Sequence, residues 1–264
     1  MNTSSLRLVF VGGWLSYRAL FGWLSPWVII PTFLIEPVFQ VLFFATIGRA
    51  AGVGDNAFYL IGNAVVAAAI PCLFATGNTI AGERWTQTLS LLLASPAKRV
   101  PLFLGRAFPP IVNGFAVSLF TLAVGAVLLR VSLNPVSFAA IAFVMLACAY
   151  SCTGIGIVTA ALALRVRETA VLSNIVLGVL LVFCGVNVAL DALPGWMVAV
   201  ADVLPLTHGI EAARELLMGS GWSVFVVREV AVEVALGTVY LALGLAMLRW
   251  MENESRRTAS LDRA

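Results

Sequence analysis

Six long apolar runs dominate the chain, and they constrain its fold more than any other feature. Each run is continuous over about 20 residues, the length that an α-helix needs to cross the hydrocarbon core of a bilayer. Transmembrane β-strands alternate polar and apolar residues over roughly ten positions instead. With 61% hydrophobic and 11% charged residues, the chain is far more apolar than an ordinary soluble domain. The sequence therefore predicts an all-α polytopic membrane protein.

We expect one transmembrane domain over residues 1–264, with six membrane-spanning helices. The predicted spans cover residues 27–47, 57–80, 107–129, 136–164, 169–190 and 225–249. Residues 1–26 precede them. Their large apolar side chains recur at helical spacing, which predicts an amphipathic helix in the membrane interface; a disordered leader is the alternative. The recurring side chains are Leu6, Phe10, Trp14, Tyr17, Phe21 and Leu24.

The basic residues orient these spans. With both termini in the cytoplasm, twelve Lys and Arg residues fall on the cytoplasmic side and four on the outer side. Cytoplasmic loops carry such an excess of positive charge. The four on the outer side are Arg49, Arg130, Arg214 and Arg228. This pattern predicts a multi-pass protein of the cell (inner or plasma) membrane with both ends inside.

The segment between the fifth and sixth predicted spans, residues 191–222, holds two apolar pieces separated by Pro205. Each piece is too short to span, a pattern typical of re-entrant or interfacial helices. We place this segment on the outer side. It contains His208, the only histidine, which we expect to cap or pack a helix rather than to bind a metal.

A short amphipathic stretch, residues 82–97, lies in the cytoplasmic loop between the second and third spans. Trp85, Leu89, Leu92 and Leu93 share one helical face, while Pro96 ends the helix. The residues alone leave two interpretations open. The helix lies on lipid headgroups, or it is a docking helix for a cytoplasmic partner.

The sequence "ERWTQTLSLLLASPAKR" and the following "LFLGRAF" resemble the cytoplasmic loop of ABC-2 type (type V) exporter permeases, the drug-resistance group that includes daunorubicin exporters. The pairs that match are Glu83-Arg84, Thr88-Leu89, Leu91-Leu92 and Ser95-Pro96. Gln87 and Ser90 depart from the glycine and glutamate usual in that family. A second segment, "LPLTHGIEAAREL" at residues 204–216, resembles the family's segment before its last span.

The resemblance implies that two six-span permease subunits, identical or similar, pair with two cytoplasmic ABC ATPase subunits. Residues 82–97 would be the coupling helix on which an ATPase docks. The implied contact residues are Glu83, Arg84, Thr88, Leu89, Leu92, Leu93, Ser95 and Pro96. Arg165, Arg167 and Glu168 form a cytoplasmic turn, which is either a second ATPase contact or a charge anchor.

The chain itself is not predicted to be an enzyme. Its only lysine, Lys98, does not follow a glycine-rich loop, so the phosphate-binding motif Gly-Lys-Ser/Thr is missing. ATP and Mg²⁺ are therefore expected in the partner ATPase, with no cofactor in this chain. A single histidine without a local Cys/Asp cluster also predicts neither a metal site nor a catalytic residue.

Several polar residues fall inside the predicted spans. Glu36, about ten positions into the first span, is predicted to face protein or water, because an acid in lipid costs about 2.5–3.5 kcal/mol. Two roles are open for Glu36: it contacts a cationic or polar substrate, or it is an acid kept neutral or paired within the helix packing. Asn63 and Asn113 join it as candidates for the substrate path, with hydrogen bonds between helices as the alternative. Glu229 and Glu233 line an exit path or form a water-facing salt bridge with Arg228.

Taken with the resemblance, these features predict a permease that exports an amphiphilic drug, antibiotic or secondary metabolite. Export of a lipid-linked glycan or another envelope precursor is the alternative. An intramembrane enzyme would need a cluster of reactive side chains at one depth, and the sequence shows none. A non-transporting scaffold or sensor subunit is a further alternative. Unlike an exporter, it would not stimulate ATP hydrolysis by a partner ATPase.

Overall fold

The computed structural model describes residues 12 and 27 and the ranges 30–85, 99–166, 169–219 and 221–258. Within them all regular secondary structure is helical, and no strand occurs. The predicted all-α class is therefore confirmed for the described residues. The predicted N-terminal helix, residues 1–26, lies almost wholly outside them.

The first span has an irregular start. A π-helical turn, Ile30–Ile35, leads into helix α1, Glu36–Ala51. Pro37 stands in the first turn of α1, where its missing N–H costs nothing. The helix ends at Gly52, whose left-handed φ of 68° lets its N–H bond the last carbonyl groups. The whole unit, Ile30–Ala51, is long and apolar enough to cross a membrane.

The second span is built from two helices, α2 (Asn56–Val66) and α3 (Ala69–Trp85). Asp55 caps α2 by accepting a 2.8 Å hydrogen bond from the Phe58 amide. The spanning part is Asn56–Gly77, but α3 continues unbroken to Trp85. The first residues of the predicted coupling helix, 82–85, therefore extend α3, and the rest, 86–97, lies outside the described residues.

The third and fourth spans follow as α4, Arg99–Leu129, and α5, Pro135–Val166. Their spanning parts, Ala107–Leu129 and Pro135–Ala163, confirm the predictions within one residue. Asn134 caps the N-terminus of α5, because its side chain accepts a 3.1 Å hydrogen bond from the Val136 amide.

The fifth predicted span, residues 169–190, is not one continuous helix. Helix α6 covers only Thr169–Phe183, and 15 residues are fewer than the roughly 17 needed to cross a bilayer. The chain turns at Gly185, which has a φ of 71°, a conformation that glycine adopts without strain. Among the described residues, five helices rather than six are long enough to span.

Between α6 and the last span the chain forms what we call the outer hairpin, residues 190–217. It consists of a 3₁₀ turn (Leu190–Ala192), helix α7 (Gly195–Ala201) and helix α8 (Thr207–Leu217). Both α-helices are too short to span, as the sequence predicts. Helix α9, Val224–Thr258, then provides the last span through Val224–Met251.

Helix α5 is the centre of the bundle and packs against α3, α4, α6, α8 and α9. Close approach of these helices depends on glycine. A Cβ built on Gly154 would lie 2.6 Å from the Gly237 carbonyl oxygen of α9, and one on Gly156 would lie 2.6 Å from the Cys72 carbonyl oxygen of α3. Small residues at such crossings allow helix backbones to pack tightly.

The four cysteines fill this core. Cys72, Cys148, Cys152 and Cys184 are all buried and free. The first and last spans are different. Only 17% of the most apolar segment of the first span and 22% of that of α9 are buried in the protein. Both helices therefore present broad apolar faces outwards.

Candidate functional site

The outer hairpin penetrates the bundle to the level of the middle of α5. The Gly209 backbone packs directly against the Cys148 side chain, and Ser151 reaches the same region. Ser151 lies 16 residues after Pro135, or about 24 Å along the helix axis. The connection between α7 and α8, residues 202–206, is irregular backbone that enters the protein: Asp202 and Val203 are exposed, whereas Pro205 and Leu206 are buried.

Irregular backbone at membrane depth persists only where protein groups satisfy its N–H and C=O groups. Glu233 of α9 does this most extensively. Its carboxylate accepts hydrogen bonds from the amides of Leu206 at 2.9 Å and Gly209 at 3.3 Å, and a very short one from the Ser151 hydroxyl. Glu233 is fully buried. Its side chain lies at the N-terminal end of α8, where backbone N–H groups lack partners within the helix.

Other side chains bind the carbonyl groups of the same connection. Tyr240 of α9 donates a 2.7 Å hydrogen bond to the Val203 oxygen, and Thr207 donates one of 2.7 Å to the Ala201 oxygen. The Cys184 thiol lies 3.3 Å from the Pro205 oxygen. Leu206 has a φ of 80°, unusual for a residue with a side chain. Its amide bond to Glu233 helps to hold that conformation.

His208 links α8 to α9 beside this cluster. Its Nδ1 lies 2.6 Å from the Glu229 carboxylate and its Nε2 lies 3.0 Å from the Asp202 carbonyl oxygen. Burial lowers the pKa of His208, but the bonds to Asp202 and Glu229 outweigh it, so the pKa is raised. Its expected capping role agrees with these contacts.

Of the predicted water-facing salt bridge with Arg228, the structure contains only the Glu229 pair, at the outer limit of an ion pair; Glu233 takes no part, and neither acid faces water. Both carboxylates are buried, at 5% and 0% exposure. Arg228 is exposed and only approaches Glu229, at 4.0 Å. Sequence spacing placed both acids on one helix turn, but the partners that bury them come from the re-entrant connection, whose depth the sequence does not encode locally.

Asn63, a candidate for the substrate path, lies in a buried amide cluster that joins three segments. Its side chain accepts a 3.1 Å hydrogen bond from Gln40 of α1 and donates one of 2.9 Å to Asn187 after α6. It also donates to the Tyr59 carbonyl oxygen. These contacts match the alternative role of hydrogen bonding between helices.

The structure does not bring the three predicted path residues together. Glu36 is exposed at the start of α1, one turn before Gln40, and Asn113 is half-buried on α4. No hydrogen bond between described residues connects Glu36, Asn63 and Asn113.

Arg214 of α8 contacts α2 at the other end of the hairpin. Its guanidinium donates to the carbonyl oxygens of Phe58 at 3.4 Å and Val186 at 3.2 Å, and it stacks 3.6 Å from the Phe58 ring centroid. Burial lowers its pKa to about 10. The Nε atom is buried and has no hydrogen-bond partner among the described residues.

Three of the residues implied for ATPase contact, Glu83, Arg84 and Arg165, lie on helices that end at the opposite end of the bundle. Helices α3, α5 and α9 run in the same direction: on α3 and α5, Cys72 bonds Ala149 and Thr76 meets Gly156, while on α9 and α5, Gly237 meets Gly154 and Gly244 meets Ile157. The ends of α3, with Glu83 and Arg84, and of α5, with Arg165, therefore lie at one end. The remaining implied contacts lie outside the described residues: Thr88, Leu89, Leu92, Leu93, Ser95, Pro96, Arg167 and Glu168.

Comparison with protein families decides the class of this bundle. The family model for the ABC-2 type transporter matches residues 12–218, which is most of the 264-residue chain. The chain belongs to the ABC-2 type transporter family. A search of curated proteins finds no significant match. The ABC-2 match includes α1 to α8 and therefore the whole outer hairpin, while α9 lies beyond it.

Membership of the ABC-2 family makes the chain a transport component, the membrane domain of a multi-pass transporter. Permeases of this family normally work with an ATPase subunit. The cluster around Glu233 fixes a re-entrant hairpin, a structural role that suits a transporter. It also brings Glu229, Glu233, His208 and Ser151 together, a grouping of two acids with a histidine that the sequence analysis did not find.

Proposed function

We propose that this chain is the permease subunit of an ATP-driven exporter that moves an amphiphilic drug, antibiotic or secondary metabolite out of the cell. The observation that carries the proposal is the ABC-2 family match over residues 12–218, together with the resemblance of residues 82–99 to drug-exporter loops. Two permease subunits, identical or similar, pair with two ATPase subunits that hold ATP and Mg²⁺.

The coupling helix transmits the force. When the ATPase dimer closes on ATP, it pushes on residues 82–97 and tilts the permease halves between inward- and outward-facing states. ATP can drive this switch only if the ATPase binds the two states with different affinity. Convergence of the ends of α3, α5 and α9 at one end of the bundle supports a single docking surface there, with the Arg165–Glu168 turn as a second contact.

Glu36 supports the pairing of two subunits. It is exposed on α1 of the single chain, six residues after the start of the span at Ile30, or about 9 Å into it. A carboxylate left in lipid at that depth is unfavourable. A second subunit or a water-filled path against α1 would remove this cost and place Glu36 beside the substrate.

We predict that Leu92→Glu or Leu93→Glu uncouples transport from ATP hydrolysis. A charge on the apolar docking face breaks the contact with the ATPase groove, so the ATPase should no longer co-purify or respond to the permease. Thr258→Glu adds the same charge at the same end of the bundle and serves as the matched control. Co-purification, stimulated ATP hydrolysis and transport are measured together; normal values of all three in the Leu92 and Leu93 variants would refute the docking role.

A further inference from the structure

Three side chains of α9 hold the connection between α7 and α8, and they share one helical face. Glu229, Glu233 and Tyr240 are four and seven residues apart, which aligns them along α9. They bind His208, the amides of Leu206 and Gly209, and the Val203 oxygen at distances of 2.6, 2.9, 3.3 and 2.7 Å.

The contact of the hairpin with α2 is of a different kind. Arg214 reaches α2 through a long 3.4 Å bond to the Phe58 oxygen and through the Phe58 ring. Its buried Nε has no partner among the described residues. A buried donor without a partner costs free energy, and separation of α8 from α2 relieves that cost once the guanidinium meets water.

We propose that the outer hairpin and α9 move as one unit during transport, held together by Glu229 and Glu233 as positioning residues, and that this unit separates from α2 at Arg214. The inference rests on the proposed exporter function, because it describes how the outer side opens. Glu233 keeps the strained Leu206 conformation and the α8 N-terminus fixed to α9 through the cycle. Arg214 marks the surface that parts.

Two matched crosslinks test which contact opens. H208C/E229C joins α8 to α9, and F58C/R214C joins α8 to α2; each pair replaces two side chains that touch in the structure. The permease is reconstituted with its ATPase partner and treated with a short, reducible bis-methanethiosulfonate reagent. The four native cysteines are buried, and each single-cysteine variant controls for their reaction. ATP-dependent uptake of daunorubicin and of a rhodamine dye is measured before crosslinking, after it and after reduction.

We expect the α8–α9 crosslink to leave uptake at or above its level before crosslinking, since it restores a link that the substitutions removed. The α8–α2 crosslink should lower uptake at least tenfold, with recovery on reduction. Inhibition by the α8–α9 crosslink, or full uptake with the α8–α2 crosslink in place, would overturn the inference. If the wild-type complex shows no ATP-dependent uptake of any probe, the proposed function fails separately.

Amide hydrogen exchange tests the positioning role without a transport assay. In the purified full chain, Glu233→Ala should speed exchange at Leu206 and Gly209 at least tenfold. Glu233→Gln should rescue part of the protection, because its amide oxygen still accepts one of these bonds. The amides of α2, which Glu233 does not contact, serve as the internal control. Unchanged exchange at both positions in Glu233→Ala would show that the carboxylate does not hold the hairpin.

Discussion

At the scale of single residues, charge placement in the spans explains most of what is unusual here. Glu233 is tolerated deep in the bundle because three donors surround its carboxylate. Glu36 has no comparable set of hydrogen-bond donors from its own helix and lies on an exposed face of α1. The sequence shows both acids equally clearly, but only the folded chain shows that one is structural and the other faces outwards.

We predict that Glu36→Gln changes the substrate profile of the transporter and leaves its assembly intact. Loss of the negative charge should weaken export of cationic compounds several-fold while neutral compounds are little affected, because only the cations gain from the carboxylate. Efflux of a panel of cationic and neutral dyes from cells measures this. Thr46→Ser, another exposed polar position of α1, is the control, and an unchanged cationic profile in Glu36→Gln would retire the substrate role.

At the scale of the elements, periodicity and length predicted most of the helices. The bounds of the second, third, fourth and last spans follow from continuous apolar runs. Asp55 and Asn134 mark where the second and fourth runs begin, and turns bound the others. The predicted fifth span extends beyond the end of helix α6, because residues 184–190 are mostly apolar and continue the run. Gly185 in a left-handed conformation and the Cys184 thiol near the Pro205 oxygen depend on the hairpin folding back, which no local pattern records.

Packing of α5 against α9 gives a prediction at the same scale. Gly154→Ala would place a Cβ 2.6 Å from the Gly237 oxygen, so the helices must separate, at a cost of about 1–3 kcal/mol. Gly178→Ala is the matched control, because nothing lies within 4 Å of its Cβ position and alanine favours a helix. Thermal unfolding in detergent should show a lower midpoint for Gly154→Ala alone; equal midpoints would contradict the packing.

At the scale of the whole molecule, the parallel run of α3, α5 and α9 separates two ends with different roles. One end holds Glu83, Arg84, Arg165 and the end of α9, and the other receives the outer hairpin. The charge bias of the sequence predicts which end is cytoplasmic. The hairpin's depth was not predictable, because it arises from side chains of α5 and α9 that are distant from it in sequence.

Cysteine labelling in intact cells tests this orientation. Ser132→Cys, in the exposed loop between α4 and α5, should react with a membrane-impermeant maleimide from outside. Thr258→Cys, at the end of α9, should react only after the membrane is opened, because it lies at the predicted cytoplasmic end. The buried native cysteines keep the background low. The reverse pattern would invert the topology.

The measurement that tests the central claim most directly is ATP-driven transport by the purified permease and its ATPase in inside-out membrane vesicles. An exporter should concentrate an amphiphilic probe such as daunorubicin inside these vesicles, with no uptake when either subunit is missing or ATP cannot be hydrolysed. Uptake of a lipid-linked glycan instead would change the substrate and keep the mechanism. ATP hydrolysis that is unaffected by the permease, with no ATP-dependent uptake of drug or glycan, would contradict the account.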